Sequence, residues 1–270
     1  MRWADRIWMI GCGNMGGAVL QAWLNNGAPA DNITVIKPNE TPLPGGLQSQ
    51  ADYPDGPAPD LVILAMKPYQ LEDVATKLAP LVGDNTKIIS ILAGTELDIL
   101  RQNFPKAGRM IRLMPNMAVT VGKSPMIFIA ENDDDILREE MDALFSPLGA
   151  PEWLDDESQM HVATALAGSG PAFLFRFIDA LAVSAAELGM NPDQAARLAL
   201  AMVDGAATLA AGSDLDPGAL ANQVAGRGGT TRKGLDVMDR DGRANVLLYD
   251  VLKAAMERNI EMAEEARSKI

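Results

Sequence analysis

The stretch Ile7-Trp8-Met9-Ile10-Gly11-Cys12-Gly13-Asn14-Met15-Gly16 decides the fold of the first half of the chain. A short apolar run leads into Gly11-x-Gly13-x-x-Gly16 and then into a helical pattern. The order strand, tight turn, helix suits a dinucleotide, because Gly11 permits the turn and Gly13 permits close approach of a pyrophosphate. We predict that the pyrophosphate is bound by Gly11, Cys12, Gly13, Asn14, Met15 and Gly16. A merely structural glycine turn is the alternative.

The composition limits the kind of protein. The chain has 270 residues, enough for two domains, and a formal net charge of −13, which argues against a nucleic-acid partner. The single cysteine, Cys12, suits a reducing cytoplasm, and we expect it to be a small turn residue rather than a catalytic thiol. No apolar run reaches the roughly 18 residues of a spanning helix. We therefore expect a soluble cytoplasmic protein without a membrane or nucleic-acid partner.

Two halves of the chain differ in character. From Ile33-Thr34-Val35-Ile36 to Pro151-Glu152-Trp153-Leu154, apolar strand runs alternate with helical patterns, whereas no strand run follows residue 155. This predicts an α/β Rossmann-type, doubly wound sheet over residues 1–154 and an all-α domain over residues 155–270. Residues 41–59 are predicted as loop with at most one short helix or strand. Thr95 is predicted to cap a helix over 96–103.

The end of the second strand bears on cofactor choice. An NAD enzyme of this type places Asp or Glu about 20 residues past the glycines. This chain has Lys37-Pro38-Asn39 there, a cation and an amide that suit a 2′-phosphate. We therefore predict NADPH, with NADH possible because Glu40 follows and could reach the ribose. A solvated turn is the alternative.

Two further strand ends are predicted to approach the cofactor. The run Asp60–Ala65 ends in Met66-Lys67-Pro68, and the run Lys87–Leu92 ends in Ala93-Gly94. Ligands of open α/β sheets bind beyond the carboxyl ends of the strands, so Lys67 and the Ala93-Gly94 backbone are candidate contacts. The acidic run 131–135 is predicted as a solvated turn, and no metal site is predicted.

The helical half predicts self-association. The helices expected over 172–188 and 193–211 carry small or apolar residues on nearly every face. A helix that is apolar all round is buried, yet a domain of this size has little interior. We predict an obligate homodimer through these helices, with a compact monomeric bundle as the alternative.

A second glycine-rich segment, Gly226-Arg227-Gly228-Gly229-Thr230-Thr231-Arg232-Lys233-Gly234, lies in this half. Such a segment can present successive amides and two hydroxyls to a ligand carboxylate. Its three cations add positive charge to an acidic chain.

Five motifs in order along the chain resemble the pyrroline-5-carboxylate reductases. They are Gly11-Cys-Gly-Asn-Met-Gly16, Met66-Lys67-Pro68, Arg112-Leu-Met-Pro-Asn116, Ala165-Leu-Ala-Gly-Ser-Gly-Pro-Ala172 and Gly228-Gly-Thr-Thr-Arg-Lys-Gly-Leu235. The resemblance implies that an NAD(P)H hydride reduces the C=N bond of 1-pyrroline-5-carboxylate to give L-proline, the last step of proline biosynthesis. It also implies an intertwined dimer, often assembled into rings of dimers.

The resemblance also assigns roles to residues. It implies that Lys37, Pro38 and Asn39 lie near the 2′-phosphate, and that the nicotinamide side is lined by Ala65, Met66, Lys67, Pro68, Ala93 and Gly94. Substrate binding is implied for Ser169, Gly170, Gly228, Gly229, Thr230 and Thr231. The chain departs from the family pattern at Gly226-Arg227, where Ser-Pro is common, and at Met117-Ala118, where Thr-Pro is common.

The chemistry of imine reduction agrees with the sparse set of acid–base residues. An imine that binds already protonated needs no strong general acid, and positioning supplies much of the rate effect. Our hypothesis is that the Thr231 hydroxyl hydrogen-bonds the substrate nitrogen, against the alternative that Thr230 and Thr231 cap a turn. His161, the single histidine, is expected to make a local hydrogen bond. The alternative functions are a β-hydroxyacid-type dehydrogenase and a non-catalytic NADP-binding regulator.

Overall fold

The computed structural model describes residues 3–39 and 41–267 and divides into two compact units. The first unit comprises the described residues of Met1–Ser169 and Ala255–Ile270, and the second comprises Gly170–Ala254. The domain boundary predicted between residues 154 and 155 marks a change of composition, and it stays a prediction.

The first unit contains one sheet of eight strands within the described residues. The strands are β1 Ile7–Ile10, β2 Ile33–Ile36, β3 Ser49–Gln50, β4 Leu61–Leu64, β5 Lys87–Ser90, β6 Arg109–Met114, β7 Ser124–Ala130 and β8 Gly149–Trp153. Their spatial order is β3-β2-β1-β4-β5-β6-β7-β8, and every neighbouring pair is parallel except β6 and β7. The predicted α/β, Rossmann-type sheet is confirmed, with one antiparallel pair near its edge.

Helices cover both faces of this sheet. Those of the first unit are α1 Asn14–Asn25, α2 Leu71–Leu78, α3 Leu97–Asn103, α4 Asp135–Phe145 and the short α5 Met160–Ala163. The side chains of β1 alternate between two apolar cores, since Ile7 and Met9 belong to one and Trp8 and Ile10 to the other. Burial on both faces explains why the central strands read as continuous apolar runs.

The second unit is helical, as predicted. It contains α6 Gly170–Glu187, α7 Pro192–Ala211, α8 Pro217–Val224, α9 Thr230–Asp239 and the beginning of α10 Arg243–Arg267. Two of these helices have a side-chain N-cap, since the side chain of Asn191 accepts from the Gln194 amide and that of Asp216 accepts from the Ala219 amide.

Three local predictions need correction. Residues 41–59 contain both a 3-10 turn at Pro44–Gly46 and the short strand β3, which pairs with β2. Thr95 does not cap the following helix, because the N-cap is Glu96 and the Leu97 amide donates to Glu157 Oε1 at 2.8 Å. The glycine-rich segment that ends at Gly234, expected to be a loop, is helical from Thr230 onward, because α9 begins there.

Many apolar side chains of the second unit face outward. Within Gly170–Ala254 only Ala195 and Ala199 are buried apolar residues, whereas Phe175 is 67% and Leu188 is 90% exposed. The helical stretch Glu157–Glu187, of 31 residues, could also cross a membrane by length and composition alone, contrary to the expectation from apolar run lengths. An apolar surface of this extent marks an interaction surface.

Candidate functional site

The first glycine motif forms the turn between β1 and α1. Gly11 has φ +81, and a Cβ there would lie 2.9 Å from the Ala65 carbonyl oxygen. A Cβ at Gly16 would lie 2.9 Å from the Ala65 Cβ, so α1 packs directly on the end of β4. A Cβ at Gly13 would meet nothing within 4 Å. Gly11 and Gly16 therefore allow close packing, and Gly13 leaves open space in front of the backbone.

The N-terminus of α1 is suited to an anion. Its N-cap is Gly13, no side chain caps the helix, and no acidic residue lies in its first turn. The first intrahelical bond joins the Gly17 amide to the Gly13 carbonyl at 2.7 Å, so the amides of Asn14, Met15 and Gly16 have no partner within the helix. These amides and the positive end of the helix dipole can bind phosphate oxygens.

A cleft of about 990 Å³ opens at the carboxyl ends of β1, β2 and β4, where the strand order reverses direction. Such a switch point is where open α/β sheets bind ligands. The predicted residues that line it are Gly11, Cys12, Gly13, Asn14, Met15, Gly16, Lys37, Pro38, Ala65, Met66 and Lys67. Asn39, Pro68, Ala93 and Gly94 do not line it.

Sequence reasoning missed other residues of this cleft. They are Ile10, Ile36, Ala51, Asp52, Tyr53, Gln70, Asp73, Val74, Lys77 and Ile91. Asp52 and Tyr53 follow β3, which the sequence reads as loop, and Lys77 lies in the last turn of α2. Tyr53 could have been found as an aromatic residue within a segment rich in Pro, Gly and Asp. Its ring centroid lies 5.9 Å from that of Trp8.

Hydrogen bonds within the segment after β2 hold Lys37 in place. Its Nζ donates to Thr41 Oγ1 at 3.1 Å, and the Thr41 amide donates to Ser49 Oγ at 3.0 Å. Ser49 Oγ in turn donates to the Asn39 carbonyl at 3.1 Å. A lysine held at the cleft can meet a phosphate group. Glu40, the competing carboxylate in the prediction, lies outside the described residues.

The thiol of Cys12 lies in the same cleft. Burial raises its pKa above the ordinary value, and the positive charge of Lys37 offsets only part of that effect. A thiol with a raised pKa is a poor nucleophile at neutral pH. This agrees with the expectation that Cys12 is a small turn residue.

The remaining residues predicted on the nicotinamide side lie elsewhere in the first unit. Pro68 and Ala93 line a second cavity of about 430 Å³, together with residues of α2, α3 and α10. Gly94 has φ +72, and a Cβ there would lie 3.1 Å from the Ala263 amide nitrogen of α10.

The second glycine motif begins α9. Gly228 has φ +73, and Gly229 is the N-cap, so Thr230 and Thr231 occupy the first helical positions. No side chain caps this helix, and all four residues are exposed. The amides at this helix start can bind a carboxylate. Because no side chain caps α9, the alternative that Thr230 and Thr231 cap a turn is wrong.

Arg232 has a structural role in the second unit. Its guanidinium donates to Asp236 Oδ1 and to Asp239 Oδ2, both at 2.9 Å, and to Asn222 Oδ1 of α8 at 3.3 Å. The carboxylates of Asp236 and Asp239 thus offset the positive charge of Arg232, which the sequence suggested as a charge near a bound ligand.

Ser169 follows a π-helical turn, Thr164–Gly168, and its amide donates to the Thr164 carbonyl at 3.0 Å. Asn116 holds this turn, since its Nδ2 donates to the Ala167 carbonyl at 2.8 Å. Single π turns are frequent at functional sites. Gly170 is the first residue of α6 and belongs to the second unit.

His161 makes a hydrogen bond, but its partner is Asn259, 98 residues later in the chain, and not the local group expected from the sequence. Its Nδ1 lies 3.1 Å from Asn259 Nδ2, and its Nε2 lies 4.0 Å from Glu96 Oε1. Burial, followed by the positive charge of Arg112, lowers the pKa of His161, so the ring is neutral at neutral pH. Among the described residues, no group of three or more His, Cys, Asp or Glu side chains could hold a metal ion.

Family models match both parts of the chain. A model described as pyrroline-5-carboxylate reductase dimerisation matches residues 157–262. A model of ketopantoate reductase matches residues 31–120, within the sheet.

Relatives match over nearly the full length. The chain is 30% identical to a pyrroline-5-carboxylate reductase of Pseudomonas aeruginosa, covering 96% of this chain and 97% of that protein. A solved pyrroline-5-carboxylate reductase from Coxiella burnetii is 27% identical with TM-score 0.87, covering 97% and 99% of the two chains. The fold is also shared with a Plasmodium falciparum pyrroline carboxylate reductase with NADP bound, at 21% identity and TM-score 0.80, covering 96% and 98%.

Proposed function

Because the chain belongs to the pyrroline-5-carboxylate reductase family, we propose that it transfers a hydride from NAD(P)H to the C=N bond of 1-pyrroline-5-carboxylate, forming L-proline. The observation that carries this conclusion is the similarity to such reductases over 96% of the chain. The uncapped helix start at Gly13, at the switch point of the sheet, supports a dinucleotide site there, which the reaction requires.

The chain's residues fit the cofactor at several points. The open space before Gly13 accommodates a pyrophosphate, and the amides of residues 14–16 are free to donate to it. Lys37 supports NADPH, with NADH as the second possibility, because a 2′-phosphate would pair with its ammonium group. Asn39, Pro68, Ala93 and Gly94 stay proposed contacts although they lie outside the lining of the cleft. When bound, the reduced nicotinamide supplies the hydride.

The substrate side of the reaction rests on α9. We infer that Gly229, Thr230 and Thr231 bind the substrate carboxylate, with Gly228, Ser169 and Gly170 as further contacts. The Gly229 amide donates to the Gly226 carbonyl at 3.0 Å, so the amides of Thr230 and Thr231 are the donors offered to the carboxylate. The Thr231 hydroxyl oxygen accepts a hydrogen bond from the protonated ring nitrogen and orients the C=N bond. The hydride forms a C–H bond at the imine carbon, and the electron pair of the C=N π bond moves onto the nitrogen, where it neutralises the positive charge while the N–H bond stays intact. No strong general acid is needed from the chain.

Dimerisation is proposed through the helices of the second unit. The support comes from the exposed apolar side chains of α6 and α7 and from the dimerisation model over 157–262. Burying them against a second copy would give the core that this unit lacks. Replacing Phe175 by Glu should convert dimers to monomers in sedimentation experiments. Binding of the wild-type protein to membranes would instead indicate that these apolar side chains are buried in a bilayer.

Other parts of the proposal concern organisation and place. We propose residues 1–154 as the dinucleotide-binding domain and 155–270 as the dimerisation and substrate domain. Assembly of dimers into rings and a cytoplasmic location are proposed from the family resemblance, and neither a nucleic acid nor a membrane is proposed as a partner.

One assay tests the reaction. Oxidation of NADPH should depend on added 1-pyrroline-5-carboxylate and should yield proline. A 3-hydroxy acid with NADP is the control for a β-hydroxyacid-type dehydrogenase, which would want a lysine in α6, a helix that has none. Turnover of that control would support the dehydrogenase. NADPH binding without turnover of either substrate would support the non-catalytic regulator.

A further inference from the structure

One stripe of α10 contacts the segment that follows β5. Asn259, Ala263 and Arg267 are spaced four residues apart, so they lie on one face of the helix. Asn259 is 7% and Ala263 is 3% exposed. We call these three residues the α10 stripe. All of its contacts described below lie within the first unit.

The first contact of the α10 stripe is a hydrogen bond with a defined direction. The Asn259 amide group donates from Nδ2 to His161 Nδ1, with the two nitrogens 3.1 Å apart. His161 can accept at Nδ1 only when that nitrogen carries no proton, which places the ring proton on Nε2. The Nε2 side faces Glu96 Oε1 at 4.0 Å.

The second and third contacts reach residues 94–96 directly. A Cβ at Gly94 would lie 3.1 Å from the amide nitrogen and 3.3 Å from the Cα of Ala263, so the two backbones touch. Glu96 forms an ion pair with Arg267. Residues 94–96 are therefore held at both ends by α10, while Glu157 binds the next amide, that of Leu97.

The position of this segment links it to the cofactor cleft. Residues 93–96 follow β5 at the carboxyl edge of the parallel sheet, and Ile91, two residues before Ala93, lines the cleft. A shift of about 1 Å in such a segment can cost roughly 100-fold in rate when it positions a reactant.

From this geometry we propose that the α10 stripe positions the Ala93-Gly94 backbone for hydride transfer, with Asn259 and Arg267 acting as positioning residues. The inference rests on the proposed function, since it assigns the segment to the nicotinamide side of that reaction. It gives a positioning role to His161, Asn259 and Arg267, which do not line the cleft.

The charges around His161 support the neutral ring that the contact needs. Arg112 of β6 and Arg267 of α10 disfavour protonation, whereas Glu96 and Glu157 favour it, and burial is the largest influence. The net result is a lowered pKa. The ring therefore stays an acceptor for Asn259 at neutral pH, and acid removes that acceptor.

The test uses the full-length protein and three variants. Asn259→Leu keeps the volume and removes the donor. His161→Asn places a side-chain oxygen near the position of Nδ1 and keeps an acceptor that does not titrate. Glu264→Ala is the matched control, an exposed residue of the same helix outside the α10 stripe.

Three measurements are made on each variant: kcat, the Kd for NADPH, and amide hydrogen exchange over residues 93–97. Asn259→Leu should lower kcat by about tenfold or more, since positioning is lost, while the Kd for NADPH changes less than about threefold. Exchange over 93–97 should become faster. His161→Asn should retain most of the rate, and Glu264→Ala should match the wild type.

The outcomes separate the two proposals. Wild-type protein without imine turnover would overturn the proposed function, yet the exchange measurement would still test whether the α10 stripe holds the segment. Unchanged kcat and exchange in Asn259→Leu would overturn the inference, as would an equal loss of kcat and NADPH affinity. If Asn259→Leu does not fold, Arg267→Gln, at a half-exposed side chain, tests the same effect through Glu96.

Discussion

Replacing Gly13 by Ala should weaken NADPH binding while leaving the stability of the protein nearly unchanged. The backbone of Gly13 has φ −80 and ψ −160, which alanine adopts without strain, and the added Cβ meets no protein atom within 4 Å. Alanine is a poorer N-cap than glycine by roughly 0.5–1 kcal/mol, and the reduced entropy of the unfolded chain returns about 0.4–1 kcal/mol. The free energy of unfolding should therefore change by about 0.5 kcal/mol or less.

The loss of affinity follows from the same geometry. The Cβ would project into the space that the pyrophosphate must enter to reach the amides of α1. Displacing one charged hydrogen bond costs about 1.5–3 kcal/mol. This corresponds to roughly 10- to 150-fold in Kd, which titration calorimetry with NADPH resolves.

Gly17→Ala provides the matched control for this experiment. It adds a methyl group one turn into the same helix, 3.8 Å from Cys12 Sγ, which is an ordinary contact. It should stabilise α1 by about 0.5–1 kcal/mol, as measured by urea unfolding, and leave the Kd unchanged. Wild-type NADPH affinity in Gly13→Ala would refute the assignment of the pyrophosphate to this turn.

Other perturbations test the remaining parts of the site. Lys37→Gln should lower kcat/KM for NADPH by about tenfold or more, since a charged contact to a 2′-phosphate is lost, with little change for NADH; equal losses with both would contradict its role. Thr231→Ala should lower kcat by roughly tenfold or more without lowering the melting temperature, if its hydroxyl orients the imine; an unchanged kcat/KM would remove Thr231 from the mechanism. The pKa of His161 in the folded protein lies below its value of about 6.5 in the unfolded chain. The contribution of His161 to the free energy of unfolding is therefore complete above about pH 6.5 and is lost as the pH falls through the folded-state pKa. Urea unfolding at several pH values should therefore show a smaller acid loss in His161→Asn than in the wild type.

Local sequence was sufficient for most elements of the sheet and for the first helix. β1, β2 and the start of α1 match the prediction because their signals, continuous apolar runs and a glycine turn, lie within a few residues. The caps at Asn191 and Asp216 are equally local, because each side chain accepts a hydrogen bond from an amide three residues away. These features depend on short-range sterics and hydrogen bonding.

Other features depend on partners distant in sequence. The Leu97 amide at the start of α3 donates to Glu157, which lies 60 residues later in the chain. The prediction considered only residues close in sequence and therefore assigned the cap to Thr95. β3 has only two residues and exists because it pairs with β2, which is why Tyr53 was missed as a cleft residue. A strand of two residues is too short to show the alternating pattern by which strands are predicted from sequence.

The sequence by itself determined the sheet, the dinucleotide turn and the apolar character of the second unit, since glycine conformation and burial on both strand faces leave direct traces in residue order. Only the tertiary structure decided that β3 pairs with β2, that the Leu97 amide donates to Glu157, and that Gly94 packs against Ala263. Those arrangements arise when distant segments approach within contact distance, and a contact between distant segments leaves no periodic pattern in either one.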